Sequence, residues 1–294
     1  MSTILLSTLN ARYIHCAFGL RYLYANMTEL QAETTLMEFT INQRAIDIVE
    51  ELLEQQPKII GFGVYIWNVQ ETTQVVAMLK QVAPEVKIVL GGPEVSFEHD
   101  QQEIVRLADY VICGAADLGF AKLCRQIISG PQPLMKIHPA DGATLDELTL
   151  PYRFYTDEDI RQRVIYVEAS RGCPFKCEFC ISALDKTATP FALEDFLGEM
   201  ERLYQRGARH FKFVDRTFNL KIDSSIRIME FFLTRMNSSD PLFLHFELIP
   251  DHLPDRLKEA IARFPESSLQ FEIGVQSLNP KVQQLSSRKQ NEQK

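Results

Sequence analysis

Three cysteines, Cys173, Cys177 and Cys180, stand in the run Arg-Gly-Cys-Pro-Phe-Lys-Cys-Glu-Phe-Cys and are the residues of this chain best suited to chemistry. Thiolates at CxxxCxxC spacing on one short loop can each take one iron of a four-iron cluster, which leaves the fourth iron open to a small molecule. A structural zinc site asks for four ligands, and the next histidine downstream, His210, has no second CxxC or HxxxH pair around it. Three inert core thiols fit less well, because Pro174, Lys176 and Glu178 between them mark an exposed loop. A cluster is the reading these residues favour.

The elements that would position this loop form a βα series. Strands are expected at 164–169, 210–215, 242–248 and 269–275, with helices at 193–204, 225–236 and 253–264 between them. Strands alternating with helices in this way read as a half-built α/β barrel, whose chemistry gathers at the carboxyl ends of its strands. Asp215, Glu247, Glu272, Gln276 and Ser277 stand at such ends. Capping of the next turn is the alternative role for these polar side chains.

Before residue 130 a second alternation appears, with strands expected at 4–9, 35–41, 58–64, 87–90 and 110–113. Between them run helical faces such as Ile46, Val49 and Leu53, or Phe120, Leu123 and Ile127. This predicts an N-terminal doubly wound, Rossmann-like parallel sheet. Ligands of such sheets sit beyond the carboxyl ends of the strands, where Gly61-Phe62-Gly63 and Gly91-Gly92-Pro93 fall. Glycine there admits a flat ligand close to the backbone, and a tight βα turn explains it equally well. Pro131, Pro133, Pro139 and Pro151 fall in a stretch without periodicity. The expected division is therefore domain 1–130, surface linker 131–160 and domain 161–294.

Composition narrows the class. At 46% apolar and 24% charged residues the chain reads as globular, and a net charge of -8 argues against broad binding to nucleic acid. No basic leader and no apolar run of ~18 residues is present, so no membrane span and a cytoplasmic location are expected. Cys16, Cys113 and Cys124 are scattered, which suits a metal site in a reducing compartment better than a disulfide framework.

Cys173, Cys177 and Cys180, arriving directly after the first barrel strand, resemble the signature loop of the radical S-adenosylmethionine (SAM) superfamily. The resemblance implies a partial (β/α) barrel with a 4Fe-4S cluster whose open iron binds the amino and carboxylate groups of SAM. Reductive cleavage would give methionine and a 5'-deoxyadenosyl radical, fed by a reductant such as flavodoxin or ferredoxin. It places Phe179 beside the adenine and Asp215 at the amine-contacting motif, although the Gly-Gly-Glu often found there is absent. Glu247, Glu272, Gln276 and Ser277 would hold ribose hydroxyls and the methionyl amine. Phe-Glu-Ile-Gly-Val-Gln-Ser resembles the fourth-strand signature, and the chain stops soon after it, so a truncated barrel is expected.

The sheet with Gly91-Gly92-Pro93-Glu94 after its fourth strand is similar to a cobalamin-binding domain, which makes the whole resemble cobalamin-binding radical SAM proteins. That implies cobalamin as a further cofactor and methyl transfer, or another radical modification, of an unidentified small-molecule or other substrate. The Asp-x-His-x-x-Gly motif of many cobalamin domains is missing, and His15 lies in another register. Asn10, Arg12, Tyr13, Tyr65, Trp67 and Asn68 are candidates to line a corrin or substrate face, with an amphipathic Trp67 covering a sheet end as the commoner alternative. No residue is assigned a catalytic role. A shortened barrel also allows the alternative of a non-catalytic cluster- or cobalamin-binding module.

Overall fold

Ile4–Asn10 form β1, a strand with no exposed residue, and the first unit of the protein is built around it. A parallel strand buried on both faces alternates its side chains between two cores. Leu5 and Leu9 enter one core while Ile4 and Leu6 enter the other. In the computed structural model, which describes residues 3–140, 142–184, 187–237 and 239–288, the chain divides into units Met1–Tyr155 and Thr156–Lys294.

In the first unit β1 is followed by α1 (Phe18–Ala25), β2 (Thr34–Thr40), α2 (Ala45–Glu54), β3 (Ile59–Gly63), α3 (Val69–Val82) and β4 (Lys87–Gly91). The short helices α4 (Pro93–Ser96) and α5 (Glu103–Leu107) lead to β5 (Tyr110–Cys113), α6 (Gly119–Ser129) and β6 (Ile137–Pro139). All pairings in the sheet are parallel, in the order β2-β1-β3-β4-β5-β6. Helices α2, α3 and α5 cover one face through Ile48, Val76 and Ile104, and α1 and α6 cover the other through Leu20 and Phe120. This is the doubly wound sheet expected, with the strand order reversing between β1 and β3.

Of residues 131–160, expected as a surface linker, 131–155 fall within the first unit and 156–160 within the second. Ile137 pairs with Val111, and Pro139 ends an edge strand, where a missing N–H breaks no ladder. Tyr152 and Tyr155 are buried, the Phe18 and Tyr152 rings lie 6.0 Å apart, and the Arg21 guanidinium sits 4.8 Å from the Tyr155 ring. The Asn26 amide group donates to the Thr149 carbonyl at 3.2 Å and accepts from its N–H at 2.9 Å. The unit therefore runs to residue 155.

Two glycines of this unit have packing reasons. Gly92 has φ +105°, and a Cβ there would lie 2.5 Å from the Val64 carbonyl oxygen. A Cβ on Gly61 would lie 2.6 Å from the Phe120 ring. Close approach of backbone and helix accounts for both.

The second unit opens with α7 (Asp157–Gln162), capped by the Thr156 side chain, and then β7 (Ile165–Val167). A small antiparallel pair, β8 (Ser170–Arg171) with β9 (Thr189–Pro190), flanks the cysteine segment. There follow α8 (Leu193–Gln205), β10 (His210–Phe213), α9 (Ile222–Leu233), β11 (Phe243–Leu248), α10 (Asp255–Ala262), β12 (Leu269–Ile273) and α11 (Pro280–Leu285). The parallel sheet β12-β11-β10-β7 forms the open wall of a (β/α) barrel, with no closure among the described residues.

Alternation along the strands sorts this wall into two faces. Phe211, Phe213, Phe246 and Leu248 are buried, and the Phe213 and Phe246 rings lie 4.5 Å apart while Phe211 meets Phe232 of α9 at 5.0 Å. The intervening positions are polar: His210, Lys212, His245, Glu247, Gln270 and Glu272. A period of two thus presents apolar side chains to the helices and polar groups to the inside of the wall. Among the described residues no helix is long and apolar enough to cross a membrane.

Candidate functional site

The cysteine loop leaves β7 and is tied down at both ends. At its start Asp215 accepts hydrogen bonds from the Ala169 N–H at 3.0 Å and from Ser170 Oγ at 2.6 Å, and Arg171 pairs with Glu168 at 3.0 Å. Within it the Cys180 N–H donates to the Cys177 carbonyl at 3.0 Å. Its far side meets the segment after α11. The Glu178 N–H donates to the Ser286 carbonyl at 3.2 Å, and Arg288 donates to Cys177 Sγ at 3.7 Å and to the Gly274 carbonyl.

Cys173, Cys177 and Cys180 all line one cavity of about 710 Å³. Burial pushes the Cys173 thiol above its ordinary value, and Cys180 and Cys177 add to the effect, which places the three sulfurs within electrostatic reach of one another. An iron cation beside them would reverse that shift, because the thiolate is the ligating form. A single metal ion needs its donors to converge on one point, and among the described residues no three His, Cys, Asp or Glu side chains do so. A four-iron cluster takes each thiolate on a separate iron. All three thiols line the same cavity, as a four-iron cluster with each thiolate on a separate iron would require.

Polar side chains line the same cavity. Glu247, at the end of β11, accepts from Arg216 Nη1 at 3.1 Å, and both residues line the cavity. Glu272 of β12 accepts from Lys212 Nζ at 3.1 Å and faces His245 Nε2 at 2.9 Å. Burial opposes ionisation of Glu272, but Lys212 and His245 hold it below the usual carboxylate value. Burial and Lys212 hold His245 below its ordinary value, against the opposing effect of Glu272.

Of the residues expected from the sequence, the three cysteines, Phe179, Glu247, Glu272 and Gln276 meet at this cavity. Phe179 is 57% exposed there. Ser277 does not line it. Its Oγ accepts from the Asn279 N–H at 3.1 Å, which is the turn-capping role. Asp215 is also outside the cavity, with its carboxylate buried against the start of the cysteine loop. Gly91 and Gly92 belong to the first unit. Arg216, Asp251 and Arg288 line the cavity without having been singled out. Arg216 carried a signal, since it adjoins a strand-end acid; Arg288, in a polar tail, carried none.

Burial pushes the Asp215 carboxyl up from 3.8 to about 7, against the opposing hydrogen bonds from Ser170 and Ala169. A carboxyl raised on folding favours the protonated native state, so its contribution is present below pH 3.8 and is lost as pH rises to about 7. The change amounts to ~4 kcal/mol at most. Asp215→Asn should flatten the decline in denaturant midpoint measured between pH 5 and pH 8; an unaltered decline would assign it to other groups.

In the first unit the strand order reverses between β1 and β3, the place where open α/β sheets bind ligands. Fully buried Asn68 donates to the Leu9 carbonyl at 3.0 Å and accepts from the Tyr65 N–H at 2.8 Å, which fixes the loop after β3 across β1. Thr8 Oγ1 adds a bond to the Gly63 carbonyl at 2.7 Å. On that loop the Tyr65 and Trp67 rings stack at 4.5 Å. Exposed Tyr13, Ile14, Ile66, Trp67 and Phe97 all follow the carboxyl ends of β1, β3 and β4. Loops fixed from below and apolar above suit a broad, flat ligand. His15, half-buried, donates its N–H to the Arg12 carbonyl in a turn of the neighbouring loop.

Residues 5–123 match the family model of the B12 binding domain, and residues 167–294 match that of the radical SAM superfamily. Over 247 residues the chain is 25% identical to an uncharacterized methyltransferase of Pyrococcus horikoshii, a match covering 72% of this chain and 52% of the relative. It is 25% identical over 244 residues to the cobalamin-dependent radical SAM methyltransferase TokK of Streptomyces tokunonensis, covering 69% and 34%. Its fold resembles that of the radical SAM methyltransferase TsrM from Kitasatospora setae, solved with cobalamin and a 4Fe-4S cluster. The TM-score is 0.70 at 16% identity, over 96% of this chain and 60% of that one. The chain thus spans about half the length of the Pyrococcus relative and about a third of TokK.

Proposed function

The chain belongs to the radical SAM proteins that carry a B12-binding domain, and from that premise we propose that it is a cobalamin-dependent enzyme that cleaves SAM and transfers a methyl group to a small-molecule substrate. The observation that carries this reading is the gathering of Cys173, Cys177 and Cys180 in one cavity with a polar rim. A 4Fe-4S cluster held there would supply the electron for reductive cleavage of the sulfonium, and cobalamin in the first unit would supply a methyl carrier.

The chain's own residues supply binding and orientation. Phe179 offers its exposed ring to the adenine. Glu247 and Gln276 offer acceptors and donors to the ribose hydroxyls, and Glu272 offers a carboxylate to the methionyl amine. Arg216 and Arg288 bring positive charge to the same cavity, suited to the methionyl carboxylate. In the first unit the Tyr65–Trp67 stack and the apolar loop tips offer a face to the corrin, above loops held by Asn68. A one-electron reductant of the flavodoxin or ferredoxin class would serve the cluster.

The test is anaerobic reconstitution with iron and sulfide, then reduction by dithionite with SAM and assay for 5'-deoxyadenosine. Product is expected from the loaded protein, and none from a fully loaded cluster would sink the cleavage reading. Hydroxocobalamin should leave a spectral change that survives desalting; complete loss of the corrin on the column would remove cobalamin from the account.

A further inference from the structure

We infer that residues 215–219, between β10 and α9, form a brace that positions both walls of the cysteine cavity, with Asp215 and Asn219 as its two arms. The functional part of this inference rests on the cluster-and-SAM reading above. Both side chains are buried, Asp215 at 1% and Asn219 at 0% exposure, and neither lines the cavity.

One arm holds the cysteine side. Asp215 accepts from the Ala169 N–H and from Ser170 Oγ, the residues at which the chain turns from β7 toward Cys173. The Val214 N–H adds a bond to the Val167 carbonyl at 2.9 Å. The other arm holds the polar rim. Asn219 Nδ2 donates to the Ile249 carbonyl at 2.9 Å and the His252 carbonyl at 2.7 Å, while its Oδ1 accepts from the Ile249 N–H at 2.7 Å. These bonds shape the loop that carries Asp251 into the cavity directly after Glu247 and Leu248.

Between the arms the segment is locked. Phe218 packs its ring 4.2 Å from that of Phe246 and 5.2 Å from that of Phe213, and Ser225 Oγ donates to the Phe218 carbonyl at 2.7 Å. Arg216 and Thr217 face the cavity from this fixed base, and Arg216 reaches across to Glu247. Burying a carboxyl group and an amide is unfavourable unless each is satisfied, and here the Ala169 N–H and Ser170 hydroxyl satisfy Asp215 while the backbone of Ile249 and His252 satisfies Asn219. A site held to within a fraction of an ångström needs such support behind the residues that touch ligand.

Two arms reaching separate walls should give separable losses. In the full chain reconstituted with ferrous iron and sulfide, Asp215→Ala should retain roughly 10-fold less iron through desalting, as is typical of a lost outer-shell partner. Asp215→Asn, which keeps an acceptor for Ala169, should restore most of the loading. Asn219→Ala should load iron as the parent does, yet need roughly 10-fold more SAM to perturb the reduced cluster's EPR signal. In the metal-free chain Asp215→Ala should quicken N-ethylmaleimide labelling of Cys173 and Cys180, whereas Asn219→Ala should leave it unchanged. Equal effects of the two alanine variants on every readout, or none from either, would overturn the brace. Failure of the parent chain to load iron would instead count against the cluster reading, with the labelling rates still deciding the brace.

Discussion

Cys177→Ala is expected to yield a folded protein that forms no stable brown cluster and releases no 5'-deoxyadenosine. Cys177 is the most buried of the three thiols and receives the Arg288 hydrogen bond, so it stands on the inner side of the loop. Its loss leaves two thiolates, Cys173 and Cys180, for a cluster that needs a protein ligand on three of its irons. The deficit should therefore exceed the ~10–100-fold typical of outer-shell changes. The loop belongs to no strand of the large sheets, so the denaturant midpoint should hold. Iron and sulfide per chain after desalting provide the check, and parent-like loading would take Cys177 out of the ligand set.

The second large effect concerns the first unit. Glu38 of β2 accepts from Arg21 at 2.7 Å, from Asn10 Nδ2 at 2.7 Å and from the Ala17 N–H at 2.7 Å. The side chains of the Arg21–Glu38 pair are 3% and 8% exposed. Its bonds fasten β1 and the start of α1 to β2, and so hold the loop that bears Arg12, Tyr13 and Ile14. Glu38→Ala would strand a buried guanidinium and two further donors, a loss of ~3–5 kcal/mol. Trp67 is the sole tryptophan and lies in the first unit, so its fluorescence follows that unit in urea. Its midpoint should fall sharply in Glu38→Ala and recover in Arg21→Met/Glu38→Met, where no charge is left buried. A midpoint equal to the parent's would show that the pair does not carry the loop.

Much of this architecture is legible in the chain because burial imposes a period. Tyr110–Cys113 form a strand at the bounds the apolar run suggests, and α8 starts at the predicted Leu193. The region around residue 140 is different. Ile137–Pro139 is too short to show a period, and its proline suggests a loop until β5 is present for it to pair with. Tyr152 and Tyr155 were apolar bulk in a stretch dominated by turn signals, and their burial depends on α1 rather than on their neighbours in sequence.

What the sequence determined by itself was the donor set and its spacing. Three thiols at CxxxCxxC, behind a strand and ahead of further βα units, point to the radical SAM family because residue identity and local separation are properties of a short segment. Only the tertiary structure decided which polar residues accompany them. Asp215 and Arg216 are adjacent at one strand end, yet the first turns under the cysteine loop and the second enters the cavity. Successive side chains at a strand end point to opposite sides, and which side is ligand and which is backbone depends on the loops that other strands bring alongside.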